Sequence, residues 1–148
     1  MSPTEATADR QHWMGLLARA EPARLAALMP ADLPAQDWLR PPETGAVMVR
    51  GRAGGTGAPF NLGEMTLTRC ALRTADGAVG MAHVQGRDRA HATRAAQIDA
   101  LMQGPRAAEV RRAALLPLAE AEAAADRARA GAAAATKVEF FTLLRGED

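Results

Sequence analysis

"EMTLTRCALRTADGAVGMAHVQGRDRAH", from Glu64 to His91, is the stretch on which the reading of the fold turns. Residues 64–73 alternate, with Met65, Leu67 and Ala71 on one side and Thr66, Thr68, Cys70 and Leu72 on the other. Alternation and β-branched residues predict a strand. Ala75-Asp76-Gly77 is a hairpin signal, because Asp-Gly suits the positive φ of tight turns. Residues 78–84 then return as a second strand. At 85–88, "QGRD" opens a helix running to about Met102, with Asp88 as its N-cap and Ala95, Ile98, Leu101 and Met102 toward the core. Gly104 and Pro105 stop it.

Working outward toward the N-terminus, residues 46–52 ("AVMVRGR") set Val47 and Val49 against Met48 and Arg50, which predicts a third strand. A three-strand antiparallel meander is the simplest arrangement. Residues 1–8 read as a flexible tail. Asp9 then caps a helix whose apolar face is Trp13, Leu16, Leu17 and Ala20. Pro22 suits the first turn of a short second helix carrying Leu25, Leu28 and Met29. Pro30, Pro34, Pro41 and Pro42 mark a linker with room for one short turn around Trp38.

Toward the C-terminus, residues 106–130 are rich in Ala, Arg and Glu and predict helix, broken or kinked at Pro117. Their Leu115, Leu116 and Leu118 suit either a packed face or a docking face. Gly131 ends the helix, and 131–136 read as a linker to a final strand over 138–148. That strand sets Val138, Phe140 and Thr142 against Glu139, Phe141 and Leu143. An apolar residue on each face calls for cover on both sides. The fold class is α+β: N-terminal helices, a small antiparallel sheet of the meander plus the C-terminal strand, and helices packed on it, in one domain over 1–148.

Composition narrows the function. The 148 residues carry 18 basic and 17 acidic side chains, a net charge of +1, without the basic excess of a nucleic-acid binder. Aromatics are only 3%, so the core is built from Leu, Met, Val and Ala, or a partner completes it. The one cysteine, Cys70, excludes an internal disulfide and a cysteine metal cluster. No apolar run is long enough to span a membrane, and the polar start lacks a signal core, so the cytoplasm is the expected location.

Several residues are candidates for chemistry. Gly54, Gly55, Thr56 and Gly57 resemble a phosphate cradle, but no Gly-Lys-Ser/Thr and no helix follow, so this is not a P-loop. It is either a chain reversal or a nest of amides for an anion. Arg87 and Arg89 flank the helix start at Asp88, where an exposed helix dipole favours anions; the alternative is an ordinary capped helix with solvated arginines. Arg69 completes the basic set. His12, His83 and His91 form no metal-binding spacing, and no metal is expected. Cys70 reads as a buried thiol without a partner base. No nucleophile set or carboxylate pair stands out.

Five stretches together resemble one family. They are "RQHWMGLLA" (10–18), "GGTGAPFNLGEMTLTR" (54–69), "VQGRDRAHA" (84–92), "IDALMQ" (98–103) and "VEFFTLLRG" (138–146). In this order they are similar to the PhnG subunits of the bacterial carbon–phosphorus lyase system. The resemblance implies a cytoplasmic assembly with the PhnH, PhnI and PhnJ subunits and the PhnL protein. That assembly displaces adenine from ATP with a phosphonate, giving α-D-ribose 1-methylphosphonate 5-triphosphate. ATP, with magnesium, is then a substrate of the assembly, and no cofactor is expected on this chain. The nucleosidase-like chemistry is assigned to the PhnI subunit, so the resemblance brings no catalytic residue with it. The expected role is accessory, with Phe140, Phe141 and Leu143 as subunit-interface candidates and self-association inside the complex. The rival reading is an autonomous domain that binds a phosphorylated ligand using the 54–57 loop and the 86–89 helix start.

Overall fold

A strand that alternates small and branched residues can lie close under a helix that does the same. Residues 79–85 and 89–101 do so. The computed structural model describes residues 3–136. Its order is α1 (Pro3–Arg19), α2 (Pro22–Ala27), β1 (Gln36–Arg52), β2 (Pro59–Thr74), β3 (Val79–Gln85), α3 (Arg89–Leu101), α4 (Ala107–Val110) and α5 (Leu116–Ala135). The sheet is antiparallel in the order β1-β2-β3, with Leu67 opposite Gln85 and Arg73 opposite Val79. The α+β class and the meander are as the sequence implies.

One face of the sheet is closed. Thr68, Cys70, Leu72, Ala82 and Val84 turn inward against Ala92, Ala95, Ala96 and Ile98 of α3. A Cβ on Gly80 would sit 1.9 Å from the carbonyl oxygen of Ala96, so strand and helix meet where only glycine fits. Trp13, Leu16 and Leu17 of α1, Leu25 of α2, and Val110, Leu115 and Leu118 further along complete one core. Leu17, Leu25, Leu72, Ile98 and Val110 are among its largest fully buried side chains.

The outer edge of β3 carries no further strand among the described residues. Side chains stand in for one. The amide of Met81 donates to Asp99 Oδ2 at 2.9 Å. The carbonyl of Val79 accepts from Arg10 Nη2 at 3.0 Å and from Gln103 Nε2 at 2.8 Å. Backbone groups that would otherwise template a foreign strand are therefore taken up by α1 and α3.

Four expectations need correction. Residues 3–8 are not a tail: α1 starts at Pro3, so Asp9 lies inside the helix and pairs with Arg111 at 2.7 Å instead of capping it. A polar run conceals a helix when its exposed face needs nothing apolar. The expected linker around Trp38 is strand, since β1 begins at Gln36 and pairs through to Arg52. Pro41 and Pro42 survive because β1 is an edge strand, and the register shifts between Arg40 and Glu43 to absorb them. Pro117 does not break the C-terminal run. It sits in the first turn of α5, directly after a π-helical turn at Arg111–Leu115 that accommodates the missing donor. The predicted linker at 131–136 is helical through Ala135. The C-terminal strand lies outside the described residues.

Candidate functional site

β1 and β2 are much longer than β3, and their excess length makes the molecule's most unusual surface. β3 stops at Gln85, opposite Leu67, yet β2 reaches back to Pro59 and β1 on to Arg52. Those eight residues of β2, Pro59–Thr66, form with Ala46–Arg52 a two-stranded arm about 26 Å long. The register places Val47 against Met65 and Gly51 against Phe60 on one face, and Ala46 against Thr66 and Met48 against Glu64 on the other. A shift between Val49 and Arg50 leaves Leu62 as the extra residue of a bulge. Leu62 is 66% exposed, Met48 52% and Phe60 46%. Apolar side chains on both faces of a ribbon that is marginal by itself mark a surface built to be covered.

The open face continues from the arm onto the sheet, where Met65 and Leu67 are half-buried and Met81 is exposed. Arg69 stands on this face beside Glu43, 2.9 Å away, and Arg40 reaches the same carboxylate oxygen at 2.6 Å. The two guanidiniums, Arg40 first and then Arg69, hold the Glu43 carboxyl below its usual range. At the root of the arm a groove of about 530 Å³ runs between the end of α1 and the strands, lined by Ala18, Ala20, Met65, Leu67 and Gln85 among others.

The glycine loop is the arm's tip. Gly54 and Gly55 take φ of 58° and 79°, a region that favours glycine, and the amide of Gly57 donates to the carbonyl of Ala53 at 2.8 Å. Arg52 Nη1 closes the turn on the carbonyl of Gly57 at 3.1 Å. Thr56 is exposed there. Arg87 and Arg89 are at the other end of the arm, beside Gly86, whose amide bonds the carbonyl of Thr66. Ten residues of strand and turn separate Thr66 from Thr56, so loop and helix start lie about 30 Å apart. The structure thus does not gather Gly54, Gly55, Thr56 and Gly57 with Arg69, Arg87 and Arg89 into one pocket. Asp88 caps α3 as the sequence implies, accepting from the amide of His91 at 2.8 Å. Phe140, Phe141 and Leu143 lie outside the described residues.

The polar groups that are buried serve the fold. Asp99, fully buried, accepts from Trp13 Nε1 at 2.9 Å, from Arg10 at 2.7 and 3.1 Å, and from the Met81 amide. Sequence reasoning missed this hub. Its signal was an aspartate between Ile98 and Leu101 on the core side of a helix, where a carboxylate persists only with partners. His91 bonds the carbonyl of Leu17 through Nε2 at 2.8 Å. The Cys70 thiol lies against the carbonyl of Ala92, and burial pushes it up to about 11, as an inert thiol should be. A cavity of about 300 Å³ beside α4 includes Thr74, Asp76 and Arg106, but Arg106 already pairs with Asp32 and Glu109. Among the described residues no group of three or more metal-ligating side chains is placed to hold an ion. None of their helices is long and apolar enough to cross a membrane.

A helix-closed α+β domain with an open sheet face and a projecting apolar arm is the class of protein that this geometry defines. Comparison with known proteins is more specific. A family model described as "Phosphonate metabolism protein PhnG" matches residues 8–146. The alpha-D-ribose 1-methylphosphonate 5-triphosphate synthase subunit PhnG of Rhizobium meliloti (strain 1021) is 46% identical over 147 residues, covering 95% of this chain and 92% of that protein. The chain belongs to the PhnG family.

Proposed function

We propose that this chain is a non-catalytic subunit of an α-D-ribose 1-methylphosphonate 5-triphosphate synthase acting in organic phosphonate catabolism. What carries the reading is the relative's own role as a synthase subunit, joined to an arm whose apolar faces lie open. The arm and open sheet face dock on the PhnI subunit, within a cytoplasmic assembly that also contains PhnH and PhnJ and works with the PhnL protein. In that assembly a phosphonate oxygen replaces adenine on the ribose of ATP, with magnesium on the triphosphate. This chain shapes and steadies the neighbouring site and binds no cofactor of its own. Arg69, Arg87 and Arg89 are the candidates for reaching across the interface toward the nucleotide.

The chemistry on this chain agrees with an accessory role. Its buried carboxylate is fully hydrogen-bonded and its thiol is held protonated, so neither is poised as a base or nucleophile. The test is reconstitution with ATP and methylphosphonate. Adenine release should require this chain together with its partners and be absent from this chain alone. Adenine release by the isolated chain, or full activity of the partners without it, would overturn the reading.

A further inference from the structure

The flank of the sheet on which β3 lies is guarded unevenly. Along β3 the free backbone groups are taken up by side chains, Met81 by Asp99 and Val79 by Arg10 and Gln103. Beyond Thr66 the flank belongs to β2, and among the described residues no strand pairs with it and no side chain bonds it. One bond fixes how β2 is turned there. The amide of Gly86 donates to the carbonyl of Thr66 at 2.9 Å, so the main-chain groups of Thr66 face this flank. That orientation repeats at every second residue, and the register runs unshifted from Ala46–Thr66 to Met48–Glu64. The N–H and C=O of Glu64 therefore point outward, away from β1.

Toward the tip the edge is blunted by the bulge at Leu62 and by Pro59, which has no N–H to give. What stays open is the stretch 63–66, at the root of the arm. There the edge adjoins the groove of about 530 Å³ that carries Ala18, Ala20, Met65 and Leu67. The carboxylate of Glu64 is exposed on the opposite face and makes no ion pair among the described residues. A free backbone edge, an apolar hollow on one side and an unpaired carboxylate on the other describe one kind of occupant.

We propose that a strand of the partner subunit adds to β2 along residues 63–66. Main-chain hydrogen bonds to Glu64 attach it, and its alternating side chains decide which segment fits. An apolar residue sits in the groove beside Met65, and a basic residue lies beside Glu64. Two copies of this chain joined β2 to β2 would lack that complement, since Pro59–Thr66 holds no basic residue. The inference rests on the docking of the arm proposed above, to which it adds the edge of the arm beside its faces.

The test co-expresses the PhnI subunit with Glu64→Pro and with Glu64→Ala, beside wild type and a Leu62→Ser, Met48→Ser double variant. Proline removes only an outward N–H and puts its ring there, which an edge strand tolerates and an added strand does not. The isolated Glu64→Pro chain should melt with wild type, yet bind the PhnI subunit about tenfold or more weakly than Glu64→Ala does. A second measurement needs no variant: the Glu64 amide should exchange about tenfold or more slowly in the complex than in the isolated chain. Equal binding by the proline and alanine variants overturns the added strand. If the double variant then fails to bind, docking through the faces of the arm still stands; if it binds as wild type does, the docking itself fails. A Glu64 amide already protected in the isolated chain also overturns the proposal, because the edge is then paired without a partner.

Discussion

From Leu67 to Thr74, β2 has a strand on each side and α3 packed against one face; from Pro59 to Thr66 the same strand keeps β1 alone. The first half carries buried residues at every second position, Thr68, Cys70, Leu72 and Thr74, while the second buries none fully. Both halves are comparably rich in apolar residues, so composition does not separate them. Position does. The closed half satisfies itself, down to the side chains that cap the β3 edge. The arm leaves Met48, Phe60 and Leu62 to water. Fold stability should accordingly reside in the first half and association in the second, and substitutions can be chosen to break that division.

The largest effect is expected at Asp99. Replacing it with alanine removes the carboxylate that pairs with Arg10 and leaves the indole N–H of Trp13 and the amide of Met81 without their acceptor, and should cost about 3 kcal/mol in urea unfolding. Gly80→Ala comes next. The added methyl meets a backbone oxygen rather than a flexible side chain, so α3 must move off β3, at about 3 kcal/mol by the same measurement. In the arm the division predicts the reverse pattern. Leu62→Ser with Met48→Ser should alter stability by no more than about 0.5 kcal/mol each yet abolish co-elution with a partner. A large loss of stability from the arm pair would merge the two regions into one unit.

The smallest predicted effect concerns Cys70. Its thiol is raised to about 11 from 9.0 by burial, so the folded state holds the proton that the unfolded chain gives up first. The stabilisation is fully present below about pH 9 and is lost between there and about pH 11, since the unfolded state binds fewer protons in that window. At pH 8 a thiol reagent should label the folded chain about a hundredfold more slowly than the chain in urea. Equal rates would place Cys70 outside the closed half.

The closed half was also the more legible in sequence. Alternation at 64–73 and 78–84, Asp-Gly between them, and an Asp88 cap are local signals, and each survives because the tertiary structure agrees with it. The first strand was half hidden. Pro41 and Pro42 argue against a strand unless it is known to lie at an edge, which depends on what pairs with it. The first turns of α1 and the helix through Gly131 have exposed faces, so no apolar period announces them. The glycine loop looked like a ligand site because a reversal in a long arm and a phosphate nest draw on the same residue. What the structure adds is that the tip is about 30 Å from Arg87 and Arg89, so the loop and the helix start are separate surfaces. Asp99 was invisible because its partners lie 18 to 89 residues away in sequence.

The central claim is that a self-sufficient fold carries an arm made for another subunit. The most direct measurement is co-expression with the PhnI subunit of wild type and the Leu62→Ser, Met48→Ser variant, followed by size-exclusion chromatography and thermal melting. The account predicts equal melting temperatures for the two isolated chains, with wild type co-eluting with the PhnI subunit and the variant eluting apart. Co-elution of the variant to the same extent as wild type would contradict it.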